Sequence, residues 1–308
     1  AAVVLVSHTS EGTKERLSNT LAASLSLLII VLIIEGLSDA SLHALLRPTD
    51  TAPREGEWVP YLQLVAARGT AILAPFSFIG AALCIQIFKR GIAGVLFLAS
   101  SILAISLLPM DASTLAILCG SISLLAVRCA PRLMTRMLFV STIIIAIAAP
   151  FLLSSILTNE RLTEQGIDLT RSQLQRIEIW SYASDLVLTK PVLGYGFDAS
   201  RHLGSGGDVI HGTNWPALPL HPHNAFLQVW LELGVFGIVL VCAMIVLFWR
   251  YIERRISAKE DVSVLIATFV STLVISLISF GVWQYWWIAT WGLLASALQL
   301  IEPRKLPS

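Results

Sequence analysis

Charged residues are scarce in this sequence of 308 residues, in which Asp, Glu, Lys and Arg together make up 13%. Hydrophobic residues make up 56%, and the mean hydropathy is +0.76, whereas a soluble domain needs a largely polar surface. A dense run of Lys and Arg is also missing, and the net charge is only +1, which argues against a nucleic-acid partner. The composition therefore predicts an integral membrane protein.

Cysteine is nearly absent too, with four residues in the chain. All four fall within or beside apolar segments, and no CxxC pair occurs: Cys84, Cys119, Cys129 and Cys242. Disulfide frameworks and cysteine-based zinc sites are recognised by paired cysteines, usually in polar loops. We therefore expect neither a disulfide nor a zinc site.

Long apolar runs are what the sequence does contain. Eight of them reach the roughly 17–25 residues that cross a bilayer: 19–37, 70–88, 91–108, 112–128, 136–156, 225–249, 262–281 and 285–301. With both termini cytoplasmic, 13 of the 21 Lys and Arg lie inside, and every short connection obeys the positive-inside rule. The sequence predicts one all-α polytopic membrane domain over 1–308, with a large periplasmic loop at 157–223.

This loop contains a predicted helix, TRSQLQRIEIWSYASDLVLTKP, which can be capped by Asp168 or Thr170 and ends at Pro191. Arg176 and Trp180 are four residues apart and so share one face of it. A guanidinium lying over an indole is the simplest structural interpretation of that pair.

Two histidines and a polar stripe stand at the start of the sixth apolar run, in LPLHPHNAFLQVWLELGVFG. His221 and His223 flank a proline, and the helix N-terminus after them favours a neutral imidazole. Asn224, Gln228 and Glu232 recur every four residues, which predicts one polar stripe facing a water-filled cavity, since buried carboxylates need polar surroundings. A cap and a purely structural carboxylate are the alternative, and Gly234 and Gly237 are expected to permit close helix packing.

Aromatic residues cluster where the seventh run gives way to the eighth: Trp283, Tyr285, Trp286, Trp287 and Trp291. Such a cluster is typical of the aromatic belt at a membrane interface. A platform on which sugars stack is the alternative.

Taken in order, these residues resemble the signature of the O-antigen ligase and polymerase superfamily. The series comprises Arg176-xxx-Trp180, Lys190-Pro191-xx-Gly194-x-Gly196, His221-Pro222-His223-Asn224-xx-Leu227-Gln228 and Glu232-Leu233-Gly234-xx-Gly237. The resemblance implies a GT-C-type glycosyltransferase of the bacterial inner membrane, with its active face in the periplasm. It would move a glycan from undecaprenyl diphosphate to an acceptor hydroxyl, such as a sugar of lipid A-core, without a metal ion or other cofactor.

By position, the resemblance assigns the catalytic base to His223 and a diphosphate contact to Arg176. The family's second arginine has no counterpart in the stretch Asp111-Ala112-Ser113-Thr114, so Arg68 and Arg171 are considered as substitutes. His221, Asn224, Gln228, Glu232 and Trp180 are expected to support the site. Direct displacement at the anomeric carbon, with inversion, is the chemistry expected of one base and one cation.

Three functions remain open at this point. Ligation of O-antigen to lipid A-core is favoured over polymerisation of O-antigen or exopolysaccharide. A transporter of a lipid-linked sugar is the alternative from another class, because a polar stripe inside a helix bundle also marks a substrate path.

Overall fold

A computed structural model describes residues 9–38, 40–46, 68–155, 170–204, 216–258 and 261–302. Most of these residues are helical and none of them forms a β-strand, which confirms the predicted all-α class. The helices are α1 (Glu11–Leu37), α2 (Ser41–Leu46), α3 (Arg68–Phe88), α4 (Gly91–Ser106), α5 (Asp111–Cys129), α6 (Pro131–Ser155), α7 (Arg171–Thr189), α8 (Ser200–Leu203), α9 (Ala225–Ser257), α10 (Ser263–Ile278) and α11 (Tyr285–Ala297).

Five of these helices are long and apolar enough to cross a membrane: α1, α3, α5, α6 and α9. Helices α4 and α10 are apolar but have 16 residues each, and α11 has 13. At about 1.5 Å per residue, 16 residues extend about 24 Å, short of a hydrocarbon core of about 30 Å. The chain is thus a multi-pass membrane protein, and the count of eight spans stays a prediction.

The predicted loop helix is present as α7. Thr170 caps it, and a capping box forms because Gln173 donates its backbone N–H to the Thr170 side chain and accepts the Thr170 N–H at 2.9 Å. Parts of the predicted loop, residues 157–169 and 205–215, lie outside the described residues, as does Asp168. The side of the membrane on which the loop lies stays a prediction.

The chain divides into two compact units. The first comprises Ala1–Pro131, Ile256–Ile275 and Ala289–Ser308. In it, α3 packs closely against α4, because the absence of a side chain at Gly80 leaves room for the ring of Phe97. A buried hydrogen bond from the Thr70 hydroxyl to Ser113, 2.9 Å long, links α3 to α5.

The second unit comprises Arg132–Arg255 and Ser276–Ile288, and it contains every residue of the predicted site except Arg68. Helix α9 is joined to α6 by a stacked ring pair, Phe139 and Trp249, with centroids 5.0 Å apart. The indole N–H of Trp230 also donates to the carbonyl of Ala146 at 2.9 Å. Helix α9 is broken at Gly234, whose φ of 58° and ψ of −150° are not helical, so its first nine residues form a separate segment.

Candidate functional site

The glycine loop, residues 190–197 after α7, is hydrogen-bonded through its backbone to the position at which α9 is broken. Three hydrogen bonds make the connection: Val235 N–H to Pro191 O at 2.9 Å, Tyr195 N–H to Leu231 O at 2.9 Å, and Gly196 N–H to Glu232 O at 2.8 Å. The break in α9 frees carbonyl and amide groups that an unbroken helix would use internally. Two motif segments about 40 residues apart in the sequence therefore form one structural unit.

The glycines of these two segments are required by that contact. Gly194 and Gly234 both have positive φ, 67° and 58°, which side chains other than glycine adopt at a cost. A Cβ on Gly234 would lie 2.4 Å from the carbonyl oxygen of Val192, and one on Gly194 would lie 2.5 Å from the carbonyl of Glu232. Gly234 was expected to permit close packing of helices, but the backbone that approaches it belongs to the loop. The break in the helix was not predicted.

The carboxylate of Glu232 is completely buried and accepts four hydrogen bonds. Its Oε1 accepts from the Ser200 hydroxyl and from Gln228 Nε2 at 3.0 Å. Its Oε2 accepts from the backbone N–H of Asp198 at 2.8 Å and from the indole N–H of Trp283. Because a carboxylate offers only acceptors, four donors complement it without a cation. Glu232 thus joins α8, α9 and the α10–α11 connection.

The other two residues of the stripe are equally enclosed. Asn224 caps the following helix, its side-chain oxygen accepting the Leu227 N–H at 3.0 Å, as predicted from the sequence. Gln228 accepts the Val282 N–H at 2.9 Å. Asn224, Gln228 and Glu232 are 7%, 1% and 0% exposed, so the stripe binds protein groups and does not line the open cavity that the sequence predicted.

His223 is held in one tautomer. Its Nδ1 contacts the backbone carbonyl of Ser279, and because a carbonyl only accepts, Nδ1 must carry the proton. In the neutral ring the lone pair then lies on Nε2, the atom that can accept a proton. The backbone of His223 also has a positive φ of 55°, a strained conformation of the kind that occurs at functional sites.

His221 packs beside His223, with ring centroids 4.3 Å apart. Its Nδ1 accepts the backbone N–H of His223 at 3.2 Å, which supports the strained backbone there. Its Nε2 contacts the side-chain amide of Gln284 at 3.1 Å. The ring lies against Gly281, where an added Cβ would approach it to 2.8 Å.

Both histidines are electrostatically disfavoured as cations. Burial is the main cause that lowers the pKa of His223; the hydrogen bond to Ser279 opposes it, and the charge of Arg176 adds to it. Burial, followed by the charges of His223 and Arg201, lowers the pKa of His221 to about 3. At neutral pH the site therefore contains two neutral imidazoles, with two guanidinium groups nearby.

The structure brings two of the remaining predicted residues, Trp180 and Arg176, to the histidine pair. Trp180 donates its indole N–H to the carbonyl of Pro222 at 2.9 Å, which connects α7 to the segment that carries His221 and His223. Arg176 lies on the same helix, close enough for its charge to act on His223. Arg171 begins α7, and its side chain lies outside what the structure describes. Arg68 begins α3 in the other unit, where it is exposed.

Sequence reasoning missed the connection between α10 and α11. Residues 279–284 contact both histidines, Gln228 and Glu232, and the signal available was a glycine and a glutamine beside the aromatic cluster. It also missed Arg201, which pairs with Asp198 at 2.7 Å. Several indoles of the cluster bond protein groups, and Trp287 is 1% exposed, so that ring cannot serve as a platform for sugars.

No set of three or more His, Cys, Asp and Glu within the described residues could hold a metal ion. The chemical resources of the site are instead a neutral histidine with an unprotonated Nε2, a second histidine beside it, and nearby arginines. Such a site can accept a proton from a hydroxyl and bind anionic oxygens.

Comparison with known proteins agrees with this arrangement. Residues 94–242 match the family model described as O-antigen ligase (Wzy_C). A protein of Rickettsia felis is 27% identical over 95% of this chain and 69% of its own length, and one of Rickettsia conorii is 33% identical over 46% of this chain. Both are named "Putative polysaccharide ligase".

The aligned part is 35% of the Rickettsia conorii protein and 36% of a similarly named relative, 31% identical, from Rickettsia prowazekii. No solved structure matches the chain. The matched region includes α7, the glycine loop, the histidine pair and the first part of α9, which are the elements that build the site. On this match and these relatives, the chain is similar to the O-antigen ligase family over the segments that build the site.

Proposed function

We propose that the protein is a glycosyltransferase that moves a glycan from undecaprenyl diphosphate to an acceptor hydroxyl at the periplasmic face of the bacterial inner membrane. The acceptor we propose is a sugar of lipid A-core, so that the reaction is O-antigen ligation. The names of the relatives favour ligation over polymerisation, which is the second candidate within the family.

The observation that carries this proposal is the fixed tautomer of His223. Its Nδ1–H donates to Ser279 O, and its pKa is lowered chiefly by burial, so Nε2 is an available base at neutral pH. Such a base is what an acceptor hydroxyl needs, since removing its proton makes it a better nucleophile.

The proposed step is one displacement. The acceptor oxygen forms a bond to the anomeric carbon of the donor as the bond from that carbon to the phosphate oxygen breaks. The hydroxyl proton passes to Nε2 of His223, and undecaprenyl diphosphate leaves with the electron pair. Because attack is opposite the leaving group, the anomeric configuration inverts.

Arg176 is proposed to bind the diphosphate as its negative charge grows, since a guanidinium meets phosphate oxygens with two parallel hydrogen bonds. In this scheme the charge is neutralised without a metal ion or cofactor. Arg68 and Arg171 stay predictions for a second cation. Arg201 is a further candidate, because its charge acts on His221. Its contact with Asp198 is made by Nε, an atom other than the two terminal nitrogens of the guanidinium.

The remaining residues are proposed to hold the base in place. Glu232 and Gln228 bind the connection that supplies Ser279, while Trp180 and His221 fix the backbone around His223. A transporter has less support, because the buried and fully bonded stripe offers no polar path for a substrate.

The test is a lipopolysaccharide gel from a strain that lacks this gene, complemented with the wild-type chain, His223→Ala or the exposed His202→Ala as a matched control. We expect His223→Ala to lower ligation by about 10²–10⁴-fold, the usual contribution of a general base, while the protein still inserts. Bare core with long chains left on the lipid carrier identifies ligation, and core capped by one repeat identifies polymerisation. An unchanged ladder with His223→Ala would refute the role of this histidine.

A further inference from the structure

The last turn of α7 and the glycine loop that follows it, residues 190–197, expose apolar side chains although neither is part of any predicted span. Leu188 is 46% exposed, Val192 56%, Leu193 73% and Phe197 67%. Large apolar groups exposed together in this way mark a surface that contacts another apolar phase or partner. Their number within ten residues sets this segment apart from the earlier turns of α7, which carry polar and charged residues.

These side chains continue an apolar stripe on α9. The exposed residues of that stripe recur every three or four positions: Phe236, Leu240, Met244, Leu247 and Tyr251. Such spacing defines one face of a helix, and on a span it is the face turned to lipid. The loop joins this stripe at its outer end, because Pro191 accepts the Val235 N–H at 2.9 Å and the carbonyl of Val192 lies against Gly234.

The depth of the junction follows from helix geometry. The apolar part of α9 ends at Arg250, and 16 residues separate Gly234 from it. At about 1.5 Å per residue, Gly234 lies about 24 Å from the level of Arg250. The hydrocarbon core is about 30 Å thick, so the junction falls inside the outer boundary of that core.

We propose that the segment from Leu188 to Phe197, which is the end of α7 and the glycine loop, is embedded in the membrane, where its exposed apolar side chains contact the acyl chains of bilayer lipids. The occupant is lipid because the surface is continuous with the lipid-facing stripe of α9 and lies at hydrocarbon depth. The loop's backbone polar groups are compatible with this location, since Tyr195 and Gly196 donate to α9.

Embedding has a consequence for the site. Phe197 packs against Trp283 with ring centroids 4.6 Å apart and planes tilted by 42°, and Trp283 binds Glu232. The loop would thus fix the histidine pair close to the lipid headgroups, the level at which a diphosphate attached to a membrane-anchored lipid must lie. The embedding rests on exposure and depth alone, so it can be tested separately from the proposed transferase activity.

The test is site-directed spin labelling of the full chain in lipid bilayers, with the four cysteines replaced by alanine. Leu193→Cys carries the reporter. Val239→Cys, 59% exposed on α9, is the control in lipid, and Ser172→Cys, exposed at the start of α7, is the control in water. Accessibility to oxygen, which concentrates in hydrocarbon, is compared with accessibility to a water-soluble nickel chelate.

We expect the oxygen-to-nickel ratio at Leu193 to match that at Val239 and to exceed that at Ser172 several-fold. A ratio equal to that at Ser172 overturns the proposal. So does a ratio that rises only when a polyprenyl phosphate is added, because the surface would then take the isoprenoid chain and not bilayer lipid. Val192→Cys, 56% exposed, is a second reporter if the label at Leu193 disturbs folding.

Discussion

Within the described residues, two carboxylates are buried in apolar helices, and they differ in how many hydrogen bonds they accept. Glu232, in α9, is fully buried and accepts hydrogen bonds from four groups. Glu35, in α1, is 5% exposed, and its Oε2 has no hydrogen-bond partner within the described part of the chain. Burial of a carboxylate therefore does not by itself mark a site.

What distinguishes Glu232 is the origin of its donors. They come from the loop after Gly196, from α8, from α9 itself and from the α10–α11 connection, segments separated by as many as 85 residues, from Asp198 to Trp283. Four donors repay the cost of removing a carboxylate from water. By binding these segments, Glu232 holds the α10–α11 connection in place, and that connection contacts both His221 and His223.

Removal of the Glu232 carboxylate should have the largest effect on folding. Glu232→Ala leaves four donors without their acceptor, two of them buried and two partly buried, and each buried one costs about 1–3 kcal/mol before relaxation. We expect a net loss of about 3 kcal/mol or more in the free energy of unfolding and loss of turnover. Thermal unfolding in lipid or detergent and the lipopolysaccharide ladder would measure these.

Two variants sharpen this result. Glu232→Gln keeps one acceptor oxygen and should be less destabilising, while Glu15→Ala, an exposed glutamate of α1, should change the unfolding temperature little. If Glu232→Ala unfolded at the wild-type temperature, the network around it would not support the fold.

Gly234→Ala should have the next largest effect. The methyl group would meet the carbonyl of Val192 at 2.4 Å, and the positive φ costs an L-residue about 1–2 kcal/mol. We expect the loop to separate from α9, with a loss of about 2–3 kcal/mol in stability and reduced ligation.

The control is Gly292→Ala in the middle of α11, where a Cβ would meet nothing within 4 Å. Alanine there should be neutral or stabilising by up to about 1 kcal/mol. Equal unfolding temperatures for the two variants would show that the contact at Gly234 contributes nothing.

We expect acid to lower the stability of the region around Glu232, because the histidine pair beside it is buried in the neutral form. The pKa of His221 is lowered from 6.5 to about 3, so between these values the unfolded chain binds a proton that the folded chain does not. Stability conferred by the neutral ring is therefore present above about pH 6.5 and is lost as the pH falls toward 3, by at most about 1.4 kcal/mol per pH unit.

Because burial also lowers the pKa of His223, kcat/KM should rise through a pKa below 6.5 and stay level at neutral pH. Unfolding and turnover measured across this range, for wild type and His221→Gln, would test both statements. His221→Gln should lose most of the acid sensitivity of folding, and the same loss of stability in acid as wild type would contradict the assignment.

The sequence predicted the all-α class, the helix α7, the cap at Asn224 and the similarity to the O-antigen ligase family, because these depend on local pattern and on an ordered motif. The break at Gly234 and the burial of the stripe were not predictable. They depend on the loop from Pro191 and on the α10–α11 connection, which approach α9 from distant parts of the sequence. Spacing of four residues placed Gln228 and Glu232 on one face correctly, but it could not tell whether water or protein would meet that face.

Glu35→Gln should have the smallest effect, and it tests the other side of the comparison. A neutral amide is less costly to bury than a carboxylate, so where Oε2 makes no hydrogen bond within the described residues the substitution removes a cost and little else. We expect unchanged ligation and an unfolding free energy equal to wild type or higher by up to about 1 kcal/mol. A loss comparable to that of Glu232→Gln would mean that Glu35 is bound as firmly as Glu232, and the contrast between the two carboxylates would be wrong.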